Sequence, residues 1–171
     1  MDPAHSEISF KIRHLMISNV HGAFREFNAS IYTTGEDFLS AEIDCWINTD
    51  SNDTGDKKRD EHLKGPDFFN IENHKQITFI GNTFEKTSAK DGYELYGELI
   101  MKGMTKQIKL AVEFGGIMKD PWGNEKAGFT LNGTINRKDW GLIWNTALET
   151  GGIMVGEDVK INCEIELLKE A

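Results

Sequence analysis

Strand-length segments with an apolar residue at every second position run through this chain. Ile8, Phe10 and Ile12 alternate with Glu7, Ser9, Lys11 and Arg13, while Ala41, Ile43, Cys45 and Ile47 alternate with Glu42, Asp44 and Trp46. The pattern returns over 95–101, 108–114, 127–135 and 159–167. Side chains of a strand point alternately to opposite faces, so each segment has one apolar face and one wet face. Many such strands with no long helix between them point to an all-β sandwich or closed barrel.

The pattern predicts eight strands, at about 5–13, 20–33, 38–48, 76–86, 93–101, 105–118, 125–136 and 158–168. In the second, Phe24 and Phe27 are three apart, whereas Phe27, Ala29 and Ile31 are two apart. That phase shift implies a bulge near Arg25-Glu26, which would bend the strand as barrel curvature requires. Turns are expected at Thr34-Gly35-Glu36-Asp37, Lys90-Asp91-Gly92, Lys102-Gly103-Met104 and 120–124. Residues 50–55 read as loop with a helix N-cap signal, 56–63 as a short helix, and Lys64-Gly65-Pro66 as its stop. Phe68 and Phe69 follow outside any strand pattern. A long connection, 137–157, carries Trp140, Trp144 and Gly151-Gly152; with Trp122, its tryptophans read as barrel-end caps. The expected fold is one domain: an eight-stranded antiparallel up-and-down barrel with one short helix in the 50–66 excursion.

Parity puts Phe10, Phe24, Ile31, Ile43, Phe79, Leu95, Leu99, Met101, Leu110, Val112, Phe114, Phe129, Leu131, Ile161 and Cys163 inside, with no charge among them. An eight-stranded barrel either fills itself with side chains or holds one small ligand. Patterning alone leaves both readings open. Gly97 and Gly133 also fall on the inward face, where a missing side chain leaves space or marks a bend, and they tilt the reading towards a cavity.

Bulk properties narrow the partners. The chain of 171 residues suits a single domain with a sizeable core. No apolar run approaches the roughly 18 residues of a spanning helix, so membrane insertion is not expected. A formal net charge of -9 argues against nucleic acid and against docking on an anionic membrane surface. Cys45 and Cys163 lie inward on separate strands, which favours buried free thiols over a disulfide. No leader is visible at the N-terminus, so the chain reads as cytoplasmic, or periplasmic if a leader was removed upstream.

Candidate chemistry is sparse. His14, His21 and His62 lie in or beside loops, and Arg59-Asp60-Glu61-His62 is dense with ionisable groups, which a surface-charged helix would also explain. There is no HxH or HExxH pair, no GxSxG elbow, no CxxC and no phosphate-cradling loop. No catalytic residue, metal ligand or cofactor is assigned.

Several segments resemble a known family. His5-Ser6 before Ile8-Ser9-Phe10, then His14-Leu15 and Val20-His21-Gly22-Ala23-Phe24, are similar to the opening of the YceI-like family. Arg59-Asp60-Glu61-His62-Leu63-Lys64-Gly65-Pro66-Asp67-Phe68-Phe69 resembles its most recognisable segment, and 77–79, 97–99, 102–106, 136–142 and 155–161 extend the likeness along the chain. The resemblance implies an extended lipocalin-like barrel, often dimeric, that holds a long amphiphile without transforming it. Polyisoprenoids, isoprenoid quinones and fatty-acid-like molecules are the implied ligands, in transport or stress protection, and many members are periplasmic. The inward apolar residues, with Phe68, Phe69 and Trp140, would take the tail. His14, Arg59, Asp60 and His62 would orient the head group at the mouth, or instead form an ionic cluster pinning the helix to the barrel. Two further readings stay open: an enzyme on a lipid or quinone with Asp60 and His62 as acid–base groups, and a filled barrel working through its acidic surface.

Overall fold

The computed structural model describes residues 1–35 and 37–170, so Glu36 of the expected 34–37 turn lies outside the described residues. Its strands in chain order are β1 (Glu7–His14), β2 (Ser18–Phe24), β3 (Phe27–Tyr32), β4 (Glu42–Asn48) and β5 (Asn52–Asp53), then β6 (Gln76–Lys86), β7 (Gly92–Met101), β8 (Met104–Lys119), β9 (Glu125–Asn136) and β10 (Val155–Leu168). Helix α1 (Lys57–Lys64) lies between β5 and β6. The strands form one antiparallel sheet in the order β3-β4-β6-β7-β8-β9-β10-β1-β2-β5, curled strongly into a half-barrel. The eight-stranded closed barrel is therefore corrected to a ten-stranded open one.

The reason lies at Arg25-Glu26, where the phase shift marks a break rather than a bulge. On one side β2 pairs with β1 and β5; on the other β3 pairs with β4 at the opposite edge of the sheet. The two corner residues leave both ladders. The Arg25 and Glu26 amides donate to the Ser51 carbonyl and hydroxyl, each at 3.0 Å, and the Glu26 carbonyl accepts from the Asn48 amide at 2.9 Å. The corner thus carries the chain from one sheet edge to the other. The ladders also slip between Ile12 and His14, between Gly81 and Thr83, and between Phe114 and Gly116, as a sheet needs in order to curl.

Local chemistry explains the shorter elements. Lys102 (φ 51°) and Gly103 (φ 72°) both take positive φ, which a two-residue hairpin with the twist of its strands demands. Helix α1 is eight residues long and polar except for Leu63, which packs against the core, and it is too short to persist unaided. Asp56 is its N-cap rather than its first residue, accepting the Arg59 amide at 3.0 Å. Lys64 pairs with Asp50 at 2.9 Å, and the Leu63 carbonyl accepts the Phe69 amide at 2.9 Å, so the segment after the helix folds back under it. Among the described residues, no helix is long and apolar enough to cross a membrane.

The expected inward residues other than Ile31 form the core together with Ile8, Ala29, Ile47, Ile77 and Phe84. Gly97 and Gly133 mark close approach, not space. A Cβ on Gly97 would meet the Ile80 carbonyl oxygen at 2.5 Å and the Phe79 ring at 2.6 Å, and one on Gly133 would meet Leu110 at 2.5 Å.

Candidate functional site

The inward side chains do not close over one another. They enclose a cavity of about 560 Å³ that runs from one end of the strands to the other. Its wall includes Phe10, Phe24, Ile31, Ile43, Phe68, Phe69, Phe79, Leu99, Met101, Leu110, Val112, Phe129 and Leu131, together with His14, Arg59 and His62. Cys45 and Cys163 are free thiols in the same wall. Burial, reinforced by Asp44 for Cys45 and by Cys45 and Glu164 for Cys163, pushes each up to about 12.

Three expected residues lie elsewhere. Trp140 is 2% exposed, but its indole N–H donates to the Leu99 carbonyl at 2.9 Å. It fills the outer seam where the β8–β9 ladder stops at Ala111↔Asn132, short of the ends of both strands. Asp60 faces the chain before the helix and accepts the Thr54 amide at 2.8 Å and hydroxyl at 2.6 Å. Phe114 packs outside the wall, against Phe38 and Phe129.

Arg59 does not pair with Asp60. It donates to the Thr54 hydroxyl at 2.8 Å and carbonyl at 3.1 Å, so both residues pin the helix through Thr54 by hydrogen bonds rather than by an ionic cluster. His62 Nε2 lies 2.9 Å from Asp67 Oδ2, and its ring meets Phe68 and Trp144 edge-on with centroids 5.0 and 4.8 Å away. The acid–base pair of the enzyme reading is thereby separated: Asp60 is off the cavity and His62 has Asp67 as its partner.

Among the described residues, the exposed members of the wall are Arg13, Asp56, Lys58 and His62. All four lie at one end, where the end of β1, helix α1 and the 141–154 connection converge, and they mark the mouth. The opposite end is closed by Phe38, whose ring sits 4.9 Å from Phe129 and 5.4 Å from Phe114. Trp144 lines the cavity beside His62 and Phe68, whereas Trp122, expected as a cap, is 84% exposed.

The strongest residue missed by the sequence pattern is Arg137. It is 3% exposed, lines the cavity, and donates to the carbonyls of Gly156 at 2.7 Å, Trp144 at 2.9 Å, Val155 at 3.3 Å and Leu142. It therefore clamps both ends of the 141–156 connection onto the sheet. Burial lowers its pKa, and Glu157 opposes that shift. The expectation of an uncharged interior is corrected here, because strand parity stops at Asn136 and says nothing about a cation in the turn that follows. Arg13, outward by parity, reaches the wall where the β1–β10 ladder slips. At the far end of the molecule Asp2, His5 and Glu166 form a carboxylate–imidazole cluster. The Lys126 ammonium already lies 2.8 Å from Asp2 and 2.7 Å from Glu166, so that cluster serves as an ion-pair tie for the N-terminus.

One curled antiparallel sheet around an elongated apolar cavity, with its polar groups gathered at one end, places the molecule among the β-sheet cavity proteins. The chain belongs to the YceI-like family, whose domain matches residues 1–167. A UPF0312 protein of Staphylococcus epidermidis is 38% identical over 166 residues, covering 96% of this chain and 94% of that protein. A UPF0312 protein of Staphylococcus aureus is 37% identical over the same shares. Among solved structures, the YceI protein of Campylobacter jejuni is 34% identical with a TM-score of 0.77, over 100% of this chain and 97% of its own. A polyisoprenoid binding domain from Saccharophagus degradans shares the fold at 12% identity, with a TM-score of 0.65 over 96% of this chain and 94% of its own.

Proposed function

We propose that the protein carries or sequesters a long-chain amphiphile of the polyisoprenoid, isoprenoid-quinone or fatty-acid kind, with the tail in the cavity and the head at the mouth. The observation that carries this reading is the segregation of the wall: apolar along its length, ionisable at one end. The volume of about 560 Å³ falls within the roughly 300–1,000 Å³ of small-molecule sites. At about 24 cal/mol per Å³, an empty apolar void of that size would cost on the order of 13 kcal/mol if fully enclosed. A whole domain is stable by only about 5–15 kcal/mol, and because the cavity opens at its mouth only a part of that cost applies, a part that an apolar occupant relieves. Each methylene it buries contributes about 0.8 kcal/mol, enough for tight binding with few polar contacts. That the S. degradans domain is a polyisoprenoid binding domain agrees with this reading.

The test is to denature the purified protein, extract it with organic solvent and analyse the extract by mass spectrometry. A stoichiometric long-chain isoprenoid or acyl species is expected. An empty extract, followed by failure of the delipidated protein to take up either farnesol or dodecanoate, would overturn the carrier reading.

A further inference from the structure

The charge of the cavity wall runs against the charge of the molecule. The chain has 28 acidic and 19 basic residues, yet the wall contains four of the basic ones, Arg13, Lys58, Arg59 and Arg137, and one acidic residue, Asp56. A wall drawn at random from the chain would be acidic. This one is basic, and its cations gather at the mouth end.

None of the four cations is in an ion pair among the described residues. Elsewhere Arg25, Lys64, Lys126 and Lys138 each have a carboxylate within 4 Å. Arg59 donates to Thr54, and Arg137 only to backbone carbonyls. The carboxylates of this region make their contacts elsewhere: Asp56 caps the helix, Asp60 holds Thr54, Asp67 meets His62 and Glu157 pairs with Lys138 at 2.6 Å. Asp56 therefore acts on the Lys58 and Arg59 charges, and Glu157 on that of Arg137, only through space. Arg137 adds a buried charge whose carbonyl partners solvate the guanidinium but do not neutralise it. The wall itself therefore holds four cations against one carboxylate, an excess of three positive charges set in an apolar lining whose low dielectric extends their reach.

We propose that the mouth selects amphiphiles with an anionic head, a carboxylate or a phosphate monoester on a long apolar tail, over neutral amphiphiles with the same tail. This rests on the carrier reading and specifies its ligand class. A neutral hydroxyl or carbonyl head can accept a hydrogen bond at such a mouth, but it gains little from Arg13 and Lys58, whose exposed charges act through Coulomb attraction. An oxyanion gains from all four cations and can take paired N–H donors from a guanidinium. The tail supplies the affinity and the head decides between ligands.

The test titrates the delipidated full chain with two same-tail pairs, dodecanoate against dodecanol and farnesyl monophosphate against farnesol. The change in intrinsic tryptophan fluorescence is the signal, Trp144 being the one of the four tryptophans in the cavity wall, read at low and at high salt. At least tenfold tighter binding of an anion than of its alcohol is expected, with the margin shrinking as salt rises. The double substitution Arg13→Gln with Lys58→Gln should remove most of that margin, by weakening the anion far more than the alcohol. Lys109→Gln, on the outer face of β8, should change neither. Preference for dodecanoate alone would assign a carboxylate head, and preference for farnesyl monophosphate alone a phosphate. Equal affinity for anion and alcohol in both pairs would overturn the proposal and leave the carrier reading standing. Absence of binding by all four would overturn both.

Discussion

At the closed end of the cavity, Phe38, Phe114 and Phe129 meet ring to ring, and no wall residue there is charged or exposed. At the mouth, another aromatic cluster, His62, Phe68 and Trp144, is interleaved with Arg13, Lys58, Arg59 and Arg137. The same strands run to both ends. β10 carries Val155 at the mouth and Ile165 near the closed end, and β9 carries Ile135 and Phe129 in the same sense. Strand alternation therefore sets the apolar barrel wall but does not distinguish the ends. The connections do that: Phe38 comes from the segment before β4, whereas the mouth is built from α1 and the 137–154 turn and connection. One end is built for cohesion and the other for contact with water and charge.

That contrast is broken most directly by placing the same charge at each end. Phe129→Asp would bury an uncompensated carboxylate where nothing can pair with it and delete a ring that holds two others. A loss of about 5 kcal/mol or more is expected, enough to unfold a marginal domain. Lys58→Asp, on the exposed mouth, should change stability by no more than about 0.5 kcal/mol. Urea unfolding of both variants checks the pair, and equal losses would mean the two ends are not energetically distinct. Next in size, Arg137→Leu would take the guanidinium donor from the Leu142, Trp144 and Gly156 carbonyls, while Val155 keeps the Asn145 side-chain amide at 2.7 Å, at a cost on the order of 4 kcal/mol. Phe38→Ala removes a half-buried ring and should cost about 2 kcal/mol, because part of its surface is already wet. Reversal of that order in thermal unfolding would place the firmer closure at the Phe38 end.

These magnitudes follow how much of the molecule its sequence reveals. Alternation located every long strand, and the 24-to-27 phase shift located the corner, because both are period-two signals. It could not show that the corner separates two edges of the sheet, since Arg25-Glu26 hydrogen-bonds to Ser51, a partner far along the chain. Of the polar site residues, Arg59 and His62 were legible as a charged helix face beside Phe68-Phe69. Asp60, one position along, also binds Thr54 but stays off the cavity wall, which the helix face alone does not tell. Arg137 was opaque for a deeper reason. An arginine after a strand normally implies exposure, and only the return of residues 142–156 over it supplies the carbonyls that make its burial tolerable.

The smallest expected effect sharpens the contrast within the mouth itself. Two hairpin tips lie at this end, and both have positive φ at their central residues. In the β7–β8 tip these are Lys102 and Gly103, in keeping with ordinary turn chemistry; in the β1–β2 tip they are Leu15 (φ 50°) and Met16 (φ 62°), followed by Ile17, which is 78% exposed. Leucine and methionine pay a steric penalty in that region that asparagine and glycine largely avoid. Leu15 still donates its amide to the Met154 carbonyl at 2.8 Å, and Met16 packs on Gly152, so the strained tip is tied to the connection that forms the rim. Replacing the pair by Leu15→Asn and Met16→Gly should raise stability by about 1 kcal/mol, seen as a higher urea midpoint at unchanged slope. Gly103→Ala at the other tip should lower it by a similar amount. If the first change instead destabilises, the Met16–Gly152 contact outweighs the backbone strain, and the tip is a structural part of the mouth. If stability rises as expected, the strain is unrepaid within the folded chain, and the apolar tip is the part of the mouth least shaped by the demands of folding.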